Sequence, residues 1–387
     1  MASPAHGGSF RVLRTARTNR YELFYQPGDA VAFTVAEHDG VGVDELATDN
    51  PREVAKIAPL VPELSDGGAV LAVQATVLLP ARRGLALGVT LHHTACDGSS
   101  STHFLRTWAT VCAGAMVLPK PPVINRKFIR EREDFYDIMV ARLHDHVKIT
   151  SNSPDVVDNK LLATFTLSRV NLQSIRDRVT DVAASRGVPP PRCTSVVVTF
   201  AVIWRCHVRA ALGDVEADKT RNHGRAHLVF STDLRSRMEP RVPDKYLGNC
   251  IDLSFASAPK TDIAATGTDG LFAACSAISA AVDEGTRYDP GYWERCREHS
   301  REVSTSDDPP FSVAGSPRFH VYDVDFGFGR PAKVDVVSVA MTGAMSVAEG
   351  RGGCSGGIEV GIAFPPERME RFKRCFGDDV AWLSSWH

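Results

Sequence analysis

His93-Thr94-Ala95-Cys96-Asp97-Gly98 sets a histidine four residues before an aspartate, with a glycine directly after it. An alcohol or amine attacks a carbonyl well only as its proton is taken away. An imidazole titrating near neutrality suits that task. The histidine follows an apolar stretch, Leu85 to Leu91, and precedes Phe104, Leu105, Trp108 and Val111, which have helical spacing. A loop between two rigid elements is a common seat for catalytic groups. Asp97 can orient the ring or hold the loop, and Gly98 permits a tight turn. The pattern alone reads more readily as polar residues ending a strand, with His92 as good a candidate as His93.

Asp325-Phe326-Gly327-Phe328-Gly329 is a second compact motif, far downstream. Its glycines imply a tight turn, but a dinucleotide fingerprint needs a third glycine opening a helix. Gly350-Arg351-Gly352-Gly353 lacks the Gly-Lys-Ser/Thr of a phosphate loop. Asp233-Leu234-Arg235-Ser236-Arg237 places two arginines on one face of an extended segment. They could grip a carboxylate or phosphate, or serve as surface ion pairs. Tyr246-Leu247-Gly248-Asn249-Cys250 follows, with Cys250 read as a buried thiol. His103, His144, His146, His207, His223 and His227 show no convincing ligand spacing, and no metal site is expected.

These motifs need elements to hold them. Phe10–Arg14, Tyr21–Tyr25 and Val31–Ala36 read as strands, and Asn50-Pro51-Arg52-Glu53 as a helix start. Val70–Leu79 and Leu85–Leu91 read as a hairpin that delivers His92 and His93 at its end. The second half reads as a strand at Leu161–Leu167, a helix at Asn171–Ala184, a stop at Pro189-Pro190-Pro191 and an apolar core helix at Ser195–Leu212. Ala226–Ser231 reads as a strand and Leu271–Val282 as a helix. Phe319–Phe326 and Val334–Met341 are expected as strands flanking the Asp325 turn. Ile358–Phe364 is a further strand, followed by a helix from Pro365 to about Leu383. Strands and helices alternate without repeats, so the class is mixed α/β. The charged stretch Arg126–His146 is taken as the crossover between two domains, 1–122 and 148–387, with 123–147 joining them.

A chain of 387 residues exceeds what one core usually spans, so two domains are the default. A net charge of −2 gives no reason to expect nucleic acid or an anionic membrane as partner. Neither a signal core nor an apolar run of membrane-spanning length is read from the sequence. The 9 cysteines form no Cys-x-x-Cys pair, which favours a reducing, cytoplasmic setting over a disulfide scaffold.

Taken together and in order, the motifs resemble those of the plant BAHD acyltransferase family. The likeness rests on His93 to Gly98 and on Asp325 to Pro331. Thr194 to Thr199, Asp233 to Arg237 and Gly357 to Gly361 support it. Tyr246 to Cys250 is similar to a signature of the branch that malonylates anthocyanins and phenolic glucosides. The resemblance implies two similar domains related to chloramphenicol acetyltransferase, with a channel between them. It implies acyl-CoA, malonyl-CoA in particular, as co-substrate with no bound cofactor. A flavonoid, anthocyanin or phenolic glucoside would be the acceptor, and the protein a monomer.

His93 would then be the general base, Asp97 a support of its loop with Arg235 as ion-pair partner, and Asp325, often counted as catalytic, mainly a turn residue. Thr194, Ser195, Asp233, Arg235, Arg237 and Arg318 would lie near the acyl-CoA. Two departures stand out. Phe328 replaces the family's usual tryptophan. Thr15 to Arg20 directly joins segments that the family separates by several dozen residues, so the N-terminal domain is expected to be incomplete. That gap keeps two alternatives open. One is a remnant that binds ligand without turnover, and the other is the same enzyme class using an acetyl or hydroxycinnamoyl donor.

Overall fold

A computed structural model of the chain describes residues 11–14, 21–64, 69–79, 84–130, 136, 159–213, 224–306, 308–351 and 357–384. The N-terminal residues, the junction at Thr15–Arg20, the hairpin turn at Arg82-Arg83, most of Arg126–His146, and His223 lie outside them. The chain forms two compact units that interleave in sequence. The first takes Met1–Lys160, Pro240–Cys250 and Asp323–Val337; the second takes Leu161–Glu239, Ile251–Tyr322 and Ser338–His387. A linear division into 1–122 and 148–387 assigns Pro240–Cys250 and Asp323–Val337 to the second unit, whereas both segments fold with the first.

In the first unit β1 (Arg11–Arg14) pairs antiparallel with β2 (Tyr21–Phe24). A separate sheet joins β3 (Ala32–His38), β5 (Leu71–Leu78) and β6 (Gly84–Leu91) in that order. β3 runs parallel to β5, and β5 and β6 form the expected antiparallel pair, Leu71 opposite Leu91. Phe33, Val35, Leu85 and Leu87, at 58, 69, 47 and 37% exposure, leave apolar side chains of this sheet in solvent. Two short helices, α1 (Val43–Leu46) and α2 (Val54–Ile57), flank the short strand β4 (Arg52–Glu53). The helix expected to start at Asn50-Pro51 therefore begins only at Val54. Arg52 instead stays extended, with its guanidinium buried against Asp335 (2.7 and 3.0 Å) and the Leu46 carbonyl. The long helix of this unit is α3 (Gly98–Cys112).

Among the described residues the second unit has six strands in the spatial order β7 (Leu161–Leu167), β12 (Ile358–Phe364), β11 (Met345–Glu349), β10 (Phe311–Gly315), β8 (Arg225–Asp233) and β9 (Ile251–Pro259). β10 runs parallel to both neighbours, and the remaining pairs are antiparallel. Its helices are α4 (Arg169–Ser185), α5 (Ser195–Leu212), α6 (Lys260–Ala264), α7 (Gly267–Gly285), α8 (Tyr292–Ser304), α9 (Val339–Thr342) and α10 (Pro366–Ser384).

Ser168 and Asn171 close a reciprocal capping box on α4. α5 has the length and apolarity of a membrane span, which the sequence reading did not credit. In the fold 12 of its 18 residues are buried in this unit's core. Each fully buried residue such as Ile203 contributes roughly 1.5–3 kcal/mol.

The strands expected at Phe319–Phe326 and Val334–Met341 do not form. Pro317–Phe319 and Val321–Asp323 are 3₁₀ turns, with His320 between them at φ +50°, a conformation that interrupts extended chain. Val339–Thr342 is helical, and Asp335 faces the buried Arg52. The strands of this region are β10 and β11, one on either side of those segments.

Candidate active site

β6 ends at Leu91. His92 closes the sheet by donating its amide to the Val70 carbonyl at 2.9 Å, and His93 to Ala95 turn the chain toward α3. Asp97 caps that helix. One carboxylate oxygen accepts the Ser100 amide and the other the Cys250 amide, each at 3.0 Å, with Asp97 only 1% exposed. Ser100 Oγ lies 3.1 Å from the Tyr246 and Gly248 carbonyls and accepts the Gly248 amide at 3.2 Å. Asn249 Nδ2 donates to the His93 carbonyl at 2.8 Å and to the Thr94 carbonyl at 3.3 Å. Tyr246-Leu247-Gly248-Asn249-Cys250 is thus the clasp that fixes the His93 turn from outside. Gly248 is needed there, because a Cβ would come within 2.0 Å of Arg126 Nη1 and 2.8 Å of the Tyr246 ring.

The two histidines, equivalent in sequence, differ in space. His92 is half-buried and its Nδ1 accepts the Thr94 amide at 3.2 Å. Burial and the neighbouring His93 charge hold its pKa below the ordinary imidazole value. His92 is therefore a neutral ring with Nδ1 engaged. His93 is exposed, and among the described residues its ring makes no hydrogen bond. The fixed part of His93 is its backbone; its imidazole is exposed.

Asp325 is exposed, and its Oδ1 accepts the amides of Gly327 at 2.8 Å and Gly329 at 3.0 Å. Both glycines have positive φ, +99° and +109°. This turn packs beside the distal part of α3. Phe326 meets Trp108 edge-to-face with centroids 4.8 Å apart, and a Cβ on Gly327 would lie 3.2 Å from Ala113 Cα. Trp108 sits ten residues beyond Gly98 in α3, about 15 Å along the helix axis. The structure therefore joins the two motifs through one helix, with His93 before its start and Asp325 toward its far end. Phe328, in place of tryptophan, stacks on Phe326 at 6.1 Å and is 72% exposed.

The residues expected near acyl-CoA all belong to the second unit. Asp233 ends β8, and its Oδ1 accepts the amide of Arg235 at 2.9 Å and its guanidinium at 3.3 Å. Arg235 is buried, whereas Arg237 is exposed. β10 runs parallel to β8, so Arg318, three residues past its end, leaves the sheet at the same edge. Thr194 caps α5 by accepting the Val197 amide at 3.2 Å, and Ser195 Oγ accepts Arg176 Nη2 at 2.6 Å. Arg192 ties this helix start to the last part of α7, through Ser279 at 3.0 Å and Asp283 at 3.1 Å. Gly285, at the end of α7, lies against Ser254 and Thr232, one residue before Asp233. Thr194, Ser195, Asp233, Arg235, Arg237 and Arg318 thus all belong to the second unit, although they span more than a hundred residues of sequence. Asp97 and Arg235 fall in different units.

Sequence reasoning missed Asn249 and Ser100 as the parts that hold the turn. The signal present was Tyr246 to Cys250, which was noted without a task.

The turn thus presents an exposed imidazole beside a buried acid that accepts two backbone amides. The profile of the Transferase family matches residues 14–379. Phenolic glucoside malonyltransferase 1 of Arabidopsis thaliana is 31% identical over 376 residues, covering 90% of this chain and 77% of that protein. Coumaroyl-CoA:anthocyanidin 3-O-glucoside-6''-O-coumaroyltransferase 2 of the same plant is 27% identical over 374 residues, with coverage of 90% and 77%. Among solved structures, vinorine synthase superposes with a TM-score of 0.64 at 18% identity, over 90% of this chain and 77% of its own. The chain belongs to the BAHD acyltransferase family, and its mixed α/β fold is that of the family.

Proposed function

We propose that the protein transfers a malonyl group from malonyl-CoA to a hydroxyl of a flavonoid, anthocyanin or phenolic glucoside, with His93 as general base. The observation that carries this reading is the contrast between the two histidines. His92 is tied down and neutral, while His93 is held by its own carbonyl and presents a free ring. His93 takes the acceptor proton as the hydroxyl oxygen attacks the thioester carbonyl. The tetrahedral intermediate then collapses, the C–S bond breaks, and the histidine returns the proton to the CoA sulfur. The exposed Arg237 and Arg318, with the Thr194 and Ser195 hydroxyls, supply cations and hydroxyls for the donor's phosphates and carboxylate, while the buried Arg235 holds Asp233. Tyr246 to Cys250 and the malonyltransferase relative support malonyl as donor.

The test is thiol release from malonyl-CoA in the presence of a phenolic glucoside, for the wild type and His93→Ala. The reading requires turnover that falls about 10²–10⁴-fold in the variant. Equal turnover would remove His93 from the chemistry. A panel of malonyl-, acetyl- and coumaroyl-CoA at fixed acceptor settles the donor.

A second reading, a ligand-binding remnant, is favoured by one feature, the apolar side chains that β3 and β6 leave in solvent. Thermal stabilisation by malonyl-CoA without thiol release would establish it.

A further inference from the structure

Just past the end of α3 stand Met116, Val117 and Leu118, exposed by 100, 83 and 55%. Val111, in the last turn of that helix, is exposed as well. The mechanism above gives them no task. Three consecutive apolar side chains in water pack nothing, and such a run is a fault in a folded chain unless it meets a partner.

The run is held between two firm supports. On one side α3 closes with the Gly114 amide donating to the Val111 carbonyl at 3.1 Å and the Ala115 amide to the Thr110 carbonyl at 3.2 Å, Gly114 taking φ +68°. On the other side Pro119, Pro121 and Pro122 restrict the backbone to extended shapes. Beyond them His103 Nε2 lies 2.9 Å from the Lys120 carbonyl. Val123 donates its amide to the Lys245 carbonyl at 2.8 Å and accepts the Leu247 amide at 2.9 Å. A tip fixed in this way loses little freedom on contact with a partner. The Asp325 turn adds an apolar neighbour. Its Gly327 would place a Cβ 3.2 Å from Ala113 Cα, and the next residue is the exposed Phe328.

The charge along this stretch has one sign. Residues 98–130 include Arg106, Lys120, Arg126, Lys127 and Arg130 and no aspartate or glutamate. Lys120, Arg126, Lys127 and Arg130 are exposed. In the neighbouring turn Asp323 is shared by Arg106 at 3.7 Å and Arg330 at 3.3 Å, and Asp325 accepts two backbone amides. The net charge of −2 describes the whole chain, and this stretch departs from it.

We propose that residues 115–130 dock the protein on an anionic lipid surface. Met116, Val117 and Leu118 enter the boundary between headgroups and acyl chains, and Lys120, Lys127 and Arg130 meet the headgroups. A fluid bilayer closes around a projecting apolar tip, whereas a protein partner must supply a matching pocket. A second copy of this chain would bring the same cations against these and be repelled. The docking surface is separate from the His93 turn and does not rest on the choice of acyl donor.

The experiment is co-sedimentation of the full chain with vesicles of equimolar phosphatidylcholine and phosphatidylserine, beside vesicles of phosphatidylcholine alone. Binding is expected to the anionic vesicles, to be weaker on the neutral ones, and to fall as salt is added. Burying one side chain of this size shifts partitioning by about tenfold or more, so the Met116→Asp/Leu118→Asp variant should bind about a hundredfold less. Lys120→Glu/Lys127→Glu should lose about fivefold for each cation removed. Both variants alter exposed side chains, so their melting midpoints and thiol release should match the wild type. Should the aspartate pair impair folding, Met116→Ser/Leu118→Ser tests the same contact. Wild type that ignores anionic vesicles, or a folded tip variant that binds as well as wild type, would overturn the proposal. Wild type that is dimeric by light scattering and becomes monomeric in the tip variant would assign the tip to a second copy and overturn it equally.

Discussion

The two units hold their working residues in different ways. The second unit rests on a packed core: α5 lies among buried aliphatic and aromatic side chains, and even its charges are internal. Arg205 and Arg209 share Asp379 at 3.2 and 2.9 Å, and both Arg205 and Asp379 are nearly excluded from solvent. The first unit has a small sheet with apolar side chains in solvent, and it braces the His93 turn with polar bonds from Asp97, Ser100 and Asn249. Packing tolerates the loss of one contact among many. A clasp of a few hydrogen bonds loses its geometry when one of them goes. The first unit should therefore answer mutation in activity, and the second in stability.

The largest effect expected on that view is in the second unit. Asp379→Ala leaves two arginines without their shared carboxylate, one of them buried, and should cost about 3–5 kcal/mol. Urea denaturation would show it as a fall in midpoint, and an unchanged midpoint would break the contrast at once.

Next is Asn249→Ala in the first unit. It frees the His93 and Thr94 carbonyls, should lower kcat by about 10²-fold through misplacement of the base, and should cost only about 1 kcal/mol of stability. A fall in stability with kcat intact would reverse the assignment of roles.

A pH dependence separates the units as well. His207 in α5 stacks on Phe311 at 3.9 Å and faces Arg368 at 3.2 Å. Burial first, then the arginine charge, lowers its pKa to about 3. The unfolded chain, titrating near 6.5, binds the proton more readily. Stability is therefore complete above about pH 6.5 and falls as pH drops, by about 2 kcal/mol at pH 5. His207→Phe should flatten the acid side of a thermal melt series, and an unchanged slope would place the acid sensitivity elsewhere.

The smallest effect should come from Asp325→Asn. The amide oxygen can still accept the Gly327 and Gly329 amides, so kcat should stay within about threefold and the cost should be under about 1 kcal/mol. Asp325→Ala loses the turn and should cost more. A thousandfold loss in the asparagine variant would make Asp325 a participant in the chemistry.

Much of this was legible in the sequence because it was local. Ser195–Leu212 was bounded correctly, since Thr194 caps it and Gly213 ends it at φ +71°. The β5–β6 hairpin followed from its apolar runs. The exposed end at His93 followed from its place between that hairpin and α3. What was not legible depended on distant partners. Arg52 looked like the first turn of a helix until Asp335, 283 residues away in the chain, claimed its guanidinium. Val334–Met341 had strand composition, yet the strands formed on either side of the region, at β10 and β11. His92 and His93 were indistinguishable by type, and only the Thr94 amide and the difference in exposure separate them. The clasp at Tyr246 to Cys250 was visible as a motif but not as a brace, because its partners lie about 150 positions earlier.

Helix α3 ties the two motifs into a single mechanical part. Its first turn is bonded to the clasp that holds His93, and Trp108 and Ala113 lodge against the Asp325 turn. A rigid rod pinned near one end transmits tilt to the other: a shift of one degree about the distal anchor moves the near end by about 0.3 Å over 15 Å of helix. The Phe326–Trp108 contact thus works as a trim screw for the position of the His93 turn. Changes in its bulk, such as Phe326→Leu or Trp108→Phe, offer a graded way to retune acceptor preference without touching a group that meets the substrate.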